Sequence, residues 1–99
     1  MPARKLSFHP AARDDAAGAR QWYSQRSAIA ARAFLTELIL AVESVREAPE
    51  RWPRYLAGTR QYHFPKFPFS LIYRVSDEAI VVIAIAHHRR KPGYWLERH

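Results

Sequence analysis

The stretch Ala79–Ala86, AIVVIAIA, is the most apolar run in the chain and decides the fold. Side chains of a strand point alternately to opposite faces, so a run that is apolar at every position predicts a strand covered on both faces. Such a strand lies at the centre of a sheet, and its partners must come from the sequence around it.

Two further strands are predicted before it. In Phe69–Val75, FSLIYRV, the side chains alternate between an apolar face and a mixed face that carries Ser70, Ile72 and Arg74. The polar turn at 76–78 joins this strand to the apolar run, and PKFP at 65–68 joins it to RQYHF at 60–64. These short links predict antiparallel pairing.

Two helices and a first strand are predicted in the N-terminal half. Arg4–Phe8, RKLSF, alternates as a short strand does, and Pro10 then suits a first helical turn. One helix runs from Ala11 to about Gln25, and Ser27 caps a second. That second helix, Ala28–Ala48, has apolar residues at helical spacing and ends before a proline; these residues are Phe34, Leu35, Leu38, Val42 and Val45.

The order βααβββ predicts an α+β fold in which a two-helix hairpin packs on one face of an antiparallel sheet. The mixed face, with Ser70 and Arg74, is expected to stay free. The 99 residues are expected to form a single domain, 1–99. The absence of cysteine excludes disulfides, and without a signal peptide or a long apolar segment a cytoplasmic location is expected.

Positive charge is concentrated in the second half of the chain. The net charge is +7, from 16 Lys and Arg against 9 Asp and Glu. No acidic residue occurs between Glu50 and Asp77, and Glu97 is the only one after Glu78. This separation favours an anionic partner, whether nucleic acid, an acidic protein segment or a membrane surface, over scattered solubilising charge.

The apolar run ends in AHHRRKPGYW, Ala86–Trp95, which interleaves cations with aromatics that can stack on bases or fill a protein groove. Capping of the sheet edge is the other interpretation of Tyr94 and Trp95. The residues predicted to bind a target or partner are Arg60, His87, His88, Arg89, Arg90, Lys91 and Trp95.

A nuclease needs a base, an acid and a cation for the phosphate, which histidine and arginine supply. The catalytic candidates, only if the chain is a nuclease, are His63, Arg74, Arg89 and Tyr94. His63 also has a purely structural interpretation. No metal site is expected, since the adjacent His87 and His88 point to opposite faces of a strand, and no cofactor is expected.

Four segments together resemble the RelE/ParE superfamily of type II toxin–antitoxin toxins. They are WY at 22–23, FL at 34–35, FPFSLIYRV at 67–75 and AHHRRKPGYW at 86–95. The resemblance implies a growth-inhibiting toxin neutralised by a cognate antitoxin. It also implies that operator DNA is bound only by the toxin–antitoxin complex. No membrane partner is expected.

The superfamily contains two mechanisms, and this sequence favours one of them. RelE-like toxins cleave mRNA on the ribosome and tend to place an arginine where this chain has Ser70. RelE-like toxins also carry basic residues on the preceding strand, where this chain has Gln61 and His63. Arg89 of this chain does fall near a basic position of the RelE-like C-terminal strand. Because the RelE-like nuclease residues are incomplete in this chain, mainly at Ser70, the sequence favours a ParE-like inhibitor of DNA gyrase. RelE-like mRNA cleavage and a non-toxic basic binding module stay open as alternatives, and so does whether the chain is an enzyme.

Overall fold

The computed structural model describes residues 4–99. Strand β1 (Lys5–Phe8) leads into helices α1 (Pro10–Ser24) and α2 (Ala28–Glu47). A single 3₁₀ turn (Leu56–Gly58) precedes strands β2 (Arg60–His63), β3 (Phe69–Val75) and β4 (Ala79–His87). The βααβββ order confirms the predicted α+β fold, and Ser27 caps α2 by accepting a hydrogen bond from the Ala30 amide.

The sheet has the order β1-β4-β3-β2, with the most apolar strand in its interior. The pairs β2–β3 and β3–β4 are antiparallel, but β1 runs parallel to β4, so the sheet is mixed rather than wholly antiparallel. Both edges of β3 are occupied by its hairpin partners. The N-terminal strand therefore pairs with the remaining open edge of β4.

The helices cover one face of the sheet. Phe34, Ala41 and Val45 of α2 are fully buried against the greasy face of β3, where Leu71 and Tyr73 lie. Aromatic rings fill the space between the layers, and Phe34 stacks on both Tyr23 and Phe64. Edge-to-face and stacked aromatic pairs add about 0.5–1.5 kcal/mol each beyond the area that they bury.

The opposite face of the sheet is covered at its centre by the C-terminal segment, residues 88–99. Trp95 is 1% exposed and packs on Ile72, Ile83 and Ala84. The prediction that this face stays free is therefore wrong at its centre. Three apolar side chains there would otherwise face water, and the indole ring removes them from it.

A β-bulge interrupts the regular pairing of β4 with β3. Ile72 pairs with Ala84 and Tyr73 pairs with Val82, so Ile83 is an extra residue on β4. β1 pairs with β4 only as far as Val82, which leaves the rest of that edge without a strand partner. Within residues 4–99, no helix is long and apolar enough to cross a membrane.

Candidate functional site

Two histidines and a serine form a hydrogen-bonded chain at the end of the sheet. Nδ1 of His63 lies 2.6 Å from the Ser70 hydroxyl oxygen, and Nε2 of His88 lies 2.9 Å from the same oxygen. The imidazole rings are nearly perpendicular, with centroids 5.5 Å apart. Ser70 is 4% exposed, whereas both histidines are exposed. A buried hydroxyl thus joins two accessible titratable rings.

Strand register brings these three residues together. His63 of β2 pairs with Ser70 of β3, and Ser70 pairs with Ala86 of β4, so the three share a face. His88 lies two positions beyond Ala86 and returns to that face. His87, between them, points to the helical face and packs edge-to-face on Phe69.

The surroundings of His87 disfavour the charged form of its imidazole. Burial lowers the pKa of His87 below its usual value, and the nearby Arg89 and His88 lower it further. The imidazole is therefore neutral at pH 7, and its Nδ1 accepts a hydrogen bond from the Arg89 amide. His87 thus shapes the turn that follows β4.

The chain of His63, Ser70 and His88 lines an open cleft of about 220 Å³, here called the histidine cleft. Its other polar and charged lining residues are Tyr55, Gln61, His87, Arg90, Lys91 and Tyr94. No aspartate or glutamate lines it in the part of the chain that the structure describes. The polar groups of the cleft are therefore mainly hydrogen-bond donors and cations.

Tyr94 is fixed beside this cleft by contacts on both sides. The Arg90 guanidinium carbon lies 3.9 Å from the centroid of the Tyr94 ring, and the Tyr94 hydroxyl donates to Asp15. Burial raises the pKa of Tyr94, and the Asp15 carboxylate raises it further. The phenol therefore stays protonated at neutral pH and holds Arg90 by its ring face.

Asp15 and Arg98 anchor the C-terminal segment to β4. The Arg98 guanidinium donates to both oxygens of Asp15, at 2.6 and 3.2 Å, and also to the Ile83 carbonyl at 3.0 Å. Asp15 in turn accepts from the Ile85 amide at 3.1 Å. The two side chains satisfy backbone groups on the part of the β4 edge that β1 does not reach.

The structure separates the predicted site residues. His63, His88, Arg90, Lys91 and Tyr94 line the histidine cleft, with Arg89 exposed at the adjoining turn. Trp95, predicted to bind a partner, is buried. Its ring packs on Ile72, Ile83 and Ala84, and this cluster is here called the second core.

Two predicted arginines do not join the histidines. Arg60 pairs with Tyr73 and therefore projects on the helical face, where it donates to the carbonyls of Glu50 and Trp52. Arg74 does share the face of Ser70, but it is four residues away along β3, roughly 13 Å at about 3.3 Å per residue. It donates to the Ala57 carbonyl at 2.7 Å. Both arginines thus hold loops in place.

A second concave surface, here called the α1 groove, runs between α1 and the residues that follow β4. Its volume is about 940 Å³. Aromatic and apolar side chains form its floor, and charged groups border it; the lining residues are Asp14, Asp15, Gly18, Ala19, Trp22, Tyr23, Pro68, Phe69, Ile85, His87, His88, Arg89, Arg90 and Tyr94. Trp22 is 52% exposed there.

Sequence reasoning missed Asp15, Arg98 and the role of Ser70. Asp15 received no role in the candidate site, and Arg98 was counted only with the basic half of the chain. The available signal for Asp15 was a pair of adjacent carboxylates, Asp14 and Asp15, on an otherwise Ala-rich helix. Among residues 4–99 no group of three metal-ligating side chains comes together, so the histidine pair lacks a third ligand from His, Cys, Asp or Glu.

The comparisons with known proteins bear first on the fold. A solved structure described as the chromosomal ParDE toxin–antitoxin system from P. aeruginosa matches with a TM-score of 0.75 and 18% sequence identity. The match covers 86% of this chain and 96% of that one, and the two share a fold. No significant match to a curated protein was found.

The family follows from the sequence. The family model described as the ParE toxin of the type II toxin–antitoxin system parDE matches residues 6–92. The chain belongs to this ParE toxin family, which confirms the RelE/ParE resemblance, and it is a toxin component of a type II toxin–antitoxin system.

Proposed function

We propose that the chain inhibits bacterial growth by acting on DNA gyrase in the cytoplasm and is neutralised by a cognate antitoxin. Membership of the ParE toxin family supports this target. The observation that carries the choice against mRNA cleavage is Ser70. RelE-like toxins tend to have an arginine at this position, whereas here a 4%-exposed hydroxyl is occupied by two imidazoles.

Two of the arginines that could serve in a phosphate-cleaving set are engaged in other contacts. Arg74 is bound to the Ala57 carbonyl, and Arg60 projects on the helical face. Removal of one donor that stabilises a transition state costs about 10²–10³ in rate. With Ser70 at the position of the RelE-like arginine, and with Arg60 and Arg74 held by backbone carbonyls, the set favours binding of a target over cleavage of RNA.

The surface proposed to meet the target is the turn after β4. Arg89, Arg90 and Lys91 are all exposed, and Arg90 is held against the Tyr94 ring. The contacts of Tyr94 and Arg98 with Asp15 fix this segment to α1. A preorganised basic turn loses less conformational entropy when it binds than a mobile one.

The α1 groove is the proposed docking site for the antitoxin. Its apolar floor includes Ala19, Tyr23 and Phe69, and Arg89 and Arg90 lie at its border. This composition suits an amphipathic antitoxin segment that places apolar side chains on the floor and acidic ones near the arginines. Occupation of the groove would cover the same turn that is proposed to meet gyrase, which accounts for neutralisation. Operator DNA is proposed to bind only the resulting complex.

The test is inhibition of DNA supercoiling by purified gyrase, combined with pulse-labelling of DNA and protein synthesis after brief induction. We expect DNA synthesis to stop first and the purified toxin to inhibit supercoiling. The double variant Arg89→Ala/Arg90→Ala should lose this inhibition while keeping its fold, because exposed residues tolerate such changes. The matched control is Arg13→Ala/Arg20→Ala, which removes two exposed charges from α1.

The alternatives make different predictions in the same experiment. Translation that stops first, with supercoiling unaffected, would assign the chain to mRNA cleavage. No effect on either process would leave a non-toxic basic binding module. Full inhibition by the Arg89/Arg90 variant at equal soluble level would remove the turn after β4 from the target surface.

A further inference from the structure

We propose that the histidine cleft is a binding site for a single phosphoryl group, held between the imidazoles of His63 and His88 with Arg90 and Lys91 beside them. This site goes beyond the proposed action on gyrase, which requires no small anion.

The hydrogen-bond chain through Ser70 presets the two rings. A hydroxyl has one proton and two lone pairs, so Ser70 donates to one imidazole and accepts from the other. One ring nitrogen of each histidine is used in this way, at 2.6 and 2.9 Å from the hydroxyl oxygen. The second ring nitrogen of each, Nε2 of His63 and Nδ1 of His88, makes no hydrogen bond within residues 4–99. Both rings are therefore fixed in place, and each retains one outward ring nitrogen. When the rings are neutral, only the imidazole that accepts from Ser70 has an outward N–H; when the rings are protonated, both do.

The charge around the cleft has one sign. Arg90 and Lys91 line it and are exposed, and Gln61 contributes an amide. The nearby carboxylate, Asp15, is neutralised by two hydrogen bonds from Arg98. An anion in the cleft therefore meets cations and donors without a competing carboxylate in the lining.

The number of donors and the size of the cleft favour a phosphoryl group. A phosphate monoester presents three acceptor oxygens and up to two negative charges, which match two imidazoles and two longer cations better than a carboxylate does. The volume of about 220 Å³ is smaller than the roughly 300–1,000 Å³ of a site for a whole drug-sized ligand. A phosphoryl group with part of its ester fits this space.

The arrangement also predicts pH dependence. The titratable and charged groups that line the cleft are Tyr55, His63, His87, His88, Arg90, Lys91 and Tyr94. Histidine is the residue type whose charge can change near neutral pH, and His87 points to the other face. Protonated imidazoles attract an anion, so phosphate should bind more tightly at about pH 6 than at about pH 8.

The experiment is an NMR titration of the imidazole resonances of the intact chain at both pH values with three probes: inorganic phosphate, adenosine monophosphate and a short single-stranded oligonucleotide. Sodium chloride at matched ionic strength is the reference. We expect saturable shifts at His63 and His88, small ones at His87, and a loss of phosphate affinity of about tenfold or more in His63→Gln/His88→Gln. His99→Gln, which removes an exposed histidine outside the cleft, should bind phosphate as the unmodified chain does.

Each outcome bears on the proposal. Saturation by phosphate or the nucleotide at the two imidazoles supports the site, and the tighter probe identifies the source of the phosphoryl group. Saturation by the oligonucleotide at these same imidazoles supports it with a nucleic-acid strand as the source. Shifts no larger than those in sodium chloride would overturn it, as would equal loss of affinity in His99→Gln. Gyrase inhibition is measured separately, so failure of one proposal leaves the other standing.

Discussion

Asp15 shows how much one side chain contributes to the placement of a surface. Its carboxylate accepts hydrogen bonds from the Ile85 amide, the Tyr94 hydroxyl and the Arg98 guanidinium. The side chains of Arg98 and Asp15 are 19% and 13% exposed, so water screens their ion pair only partly. The position of Tyr94, and with it that of Arg90, follows from this contact.

We expect Asp15→Asn to lower the free energy of unfolding by about 2–3 kcal/mol, because it leaves Arg98 half-buried without its counter-charge. Chemical denaturation measures this loss. Asp14→Asn, one position away and exposed, should change the stability by no more than about 0.5 kcal/mol. Equal effects of the two substitutions would contradict the anchoring role of Asp15.

Tyr73 links stability to alkaline pH. Its ring is fully buried, its hydroxyl donates to the Pro49 carbonyl, and burial raises its pKa to about 12, with Arg60 acting in the opposite direction. The unfolded phenol ionises near pH 10 and the folded one only near 12. Its contribution to stability is therefore complete below pH 10 and is lost as the pH rises from 10 to 12.

Tyr73→Phe is expected to be less stable than the unmodified chain by about 1–2 kcal/mol at neutral pH, because the Pro49 carbonyl loses its donor. Between pH 10 and 12 the unmodified chain should lose roughly 2–3 kcal/mol relative to the variant, since only it has the buried phenol to ionise, so the difference should vanish and then change sign. Urea unfolding of both chains across this range measures the change. Parallel stability curves would show that Tyr73 does not carry the alkaline loss.

Among the elements, β4 and the segment after it depend on each other. β4 supplies the Ile83 carbonyl and the Ile85 amide that the side chains of Arg98 and Asp15 satisfy. The C-terminal segment returns over the sheet through a turn at Gly93, which has a φ of 81°. A left-handed residue there directs Trp95 into the second core.

Gly93→Ala should destabilise the chain by about 1–2 kcal/mol or more. A φ of 81° is strained for alanine, and the added Cβ would lie 2.9 Å from Cδ1 of Leu96. Gly18→Ala is the matched control, because a Cβ at this position in α1 meets open space. It should stabilise the chain by about 0.5–1 kcal/mol through helix propensity. Thermal unfolding of the two variants should thus give shifts of opposite sign, and a loss of stability in both would contradict this account.

Element by element, local pattern predicted much of the fold. The apolar spacing of Phe34, Leu38 and Val45 gave α2, and the alternation of Phe69–Val75 gave the two faces of β3. The apolar run predicted that both faces of β4 are covered, but local pattern could not show that Trp95 covers the second face, because this contact depends on the path of the chain after β4. The Asp15–Arg98 pair joins residues 83 positions apart, a separation over which local periodicity carries no information.

The candidate site was predicted in its residue types but not in its grouping. The basic run after β4 is exposed as expected, and the divergence of His87 and His88 follows from strand alternation. The pairing of His63 with Ser70 depends on the β2–β3 register, which the sequence of the hairpin does not specify by itself.

At the scale of the whole molecule, charge is segregated between faces. The α1 groove has Asp14 and Asp15 on its helix, whereas the histidine cleft has no acidic lining among the described residues. Both surfaces border the same turn after β4, so one partner can affect both. The net charge of +7 then raises the rate at which an acidic partner associates with the chain.

We expect association with the cognate antitoxin to slow at least about tenfold when salt rises from about 0.1 to 1 M, because the Debye length falls from ~10 to ~3 Å. The dissociation rate should change less, since the apolar floor of the groove is insensitive to screening. Stopped-flow or surface-binding kinetics measures both rates. Arg89→Ala/Arg90→Ala should flatten the salt dependence, and an unchanged slope in that variant would place the steering charge elsewhere.

The extra residue in β4 has a consequence for how relatives of this chain can diverge. Val82 and Ala84 pair with consecutive residues of β3. A deletion of codon 83 would therefore restore regular pairing, and His87 and His88 would stay on their present faces of the sheet. It would nevertheless remove the carbonyl to which Arg98 donates. In a lineage without this insertion, the acid at position 15 would still accept from the Ile85 amide and the Tyr94 hydroxyl, whereas the base at position 98 would keep only its contact with that acid. The base should therefore be lost more often than the acid where the extra residue is missing.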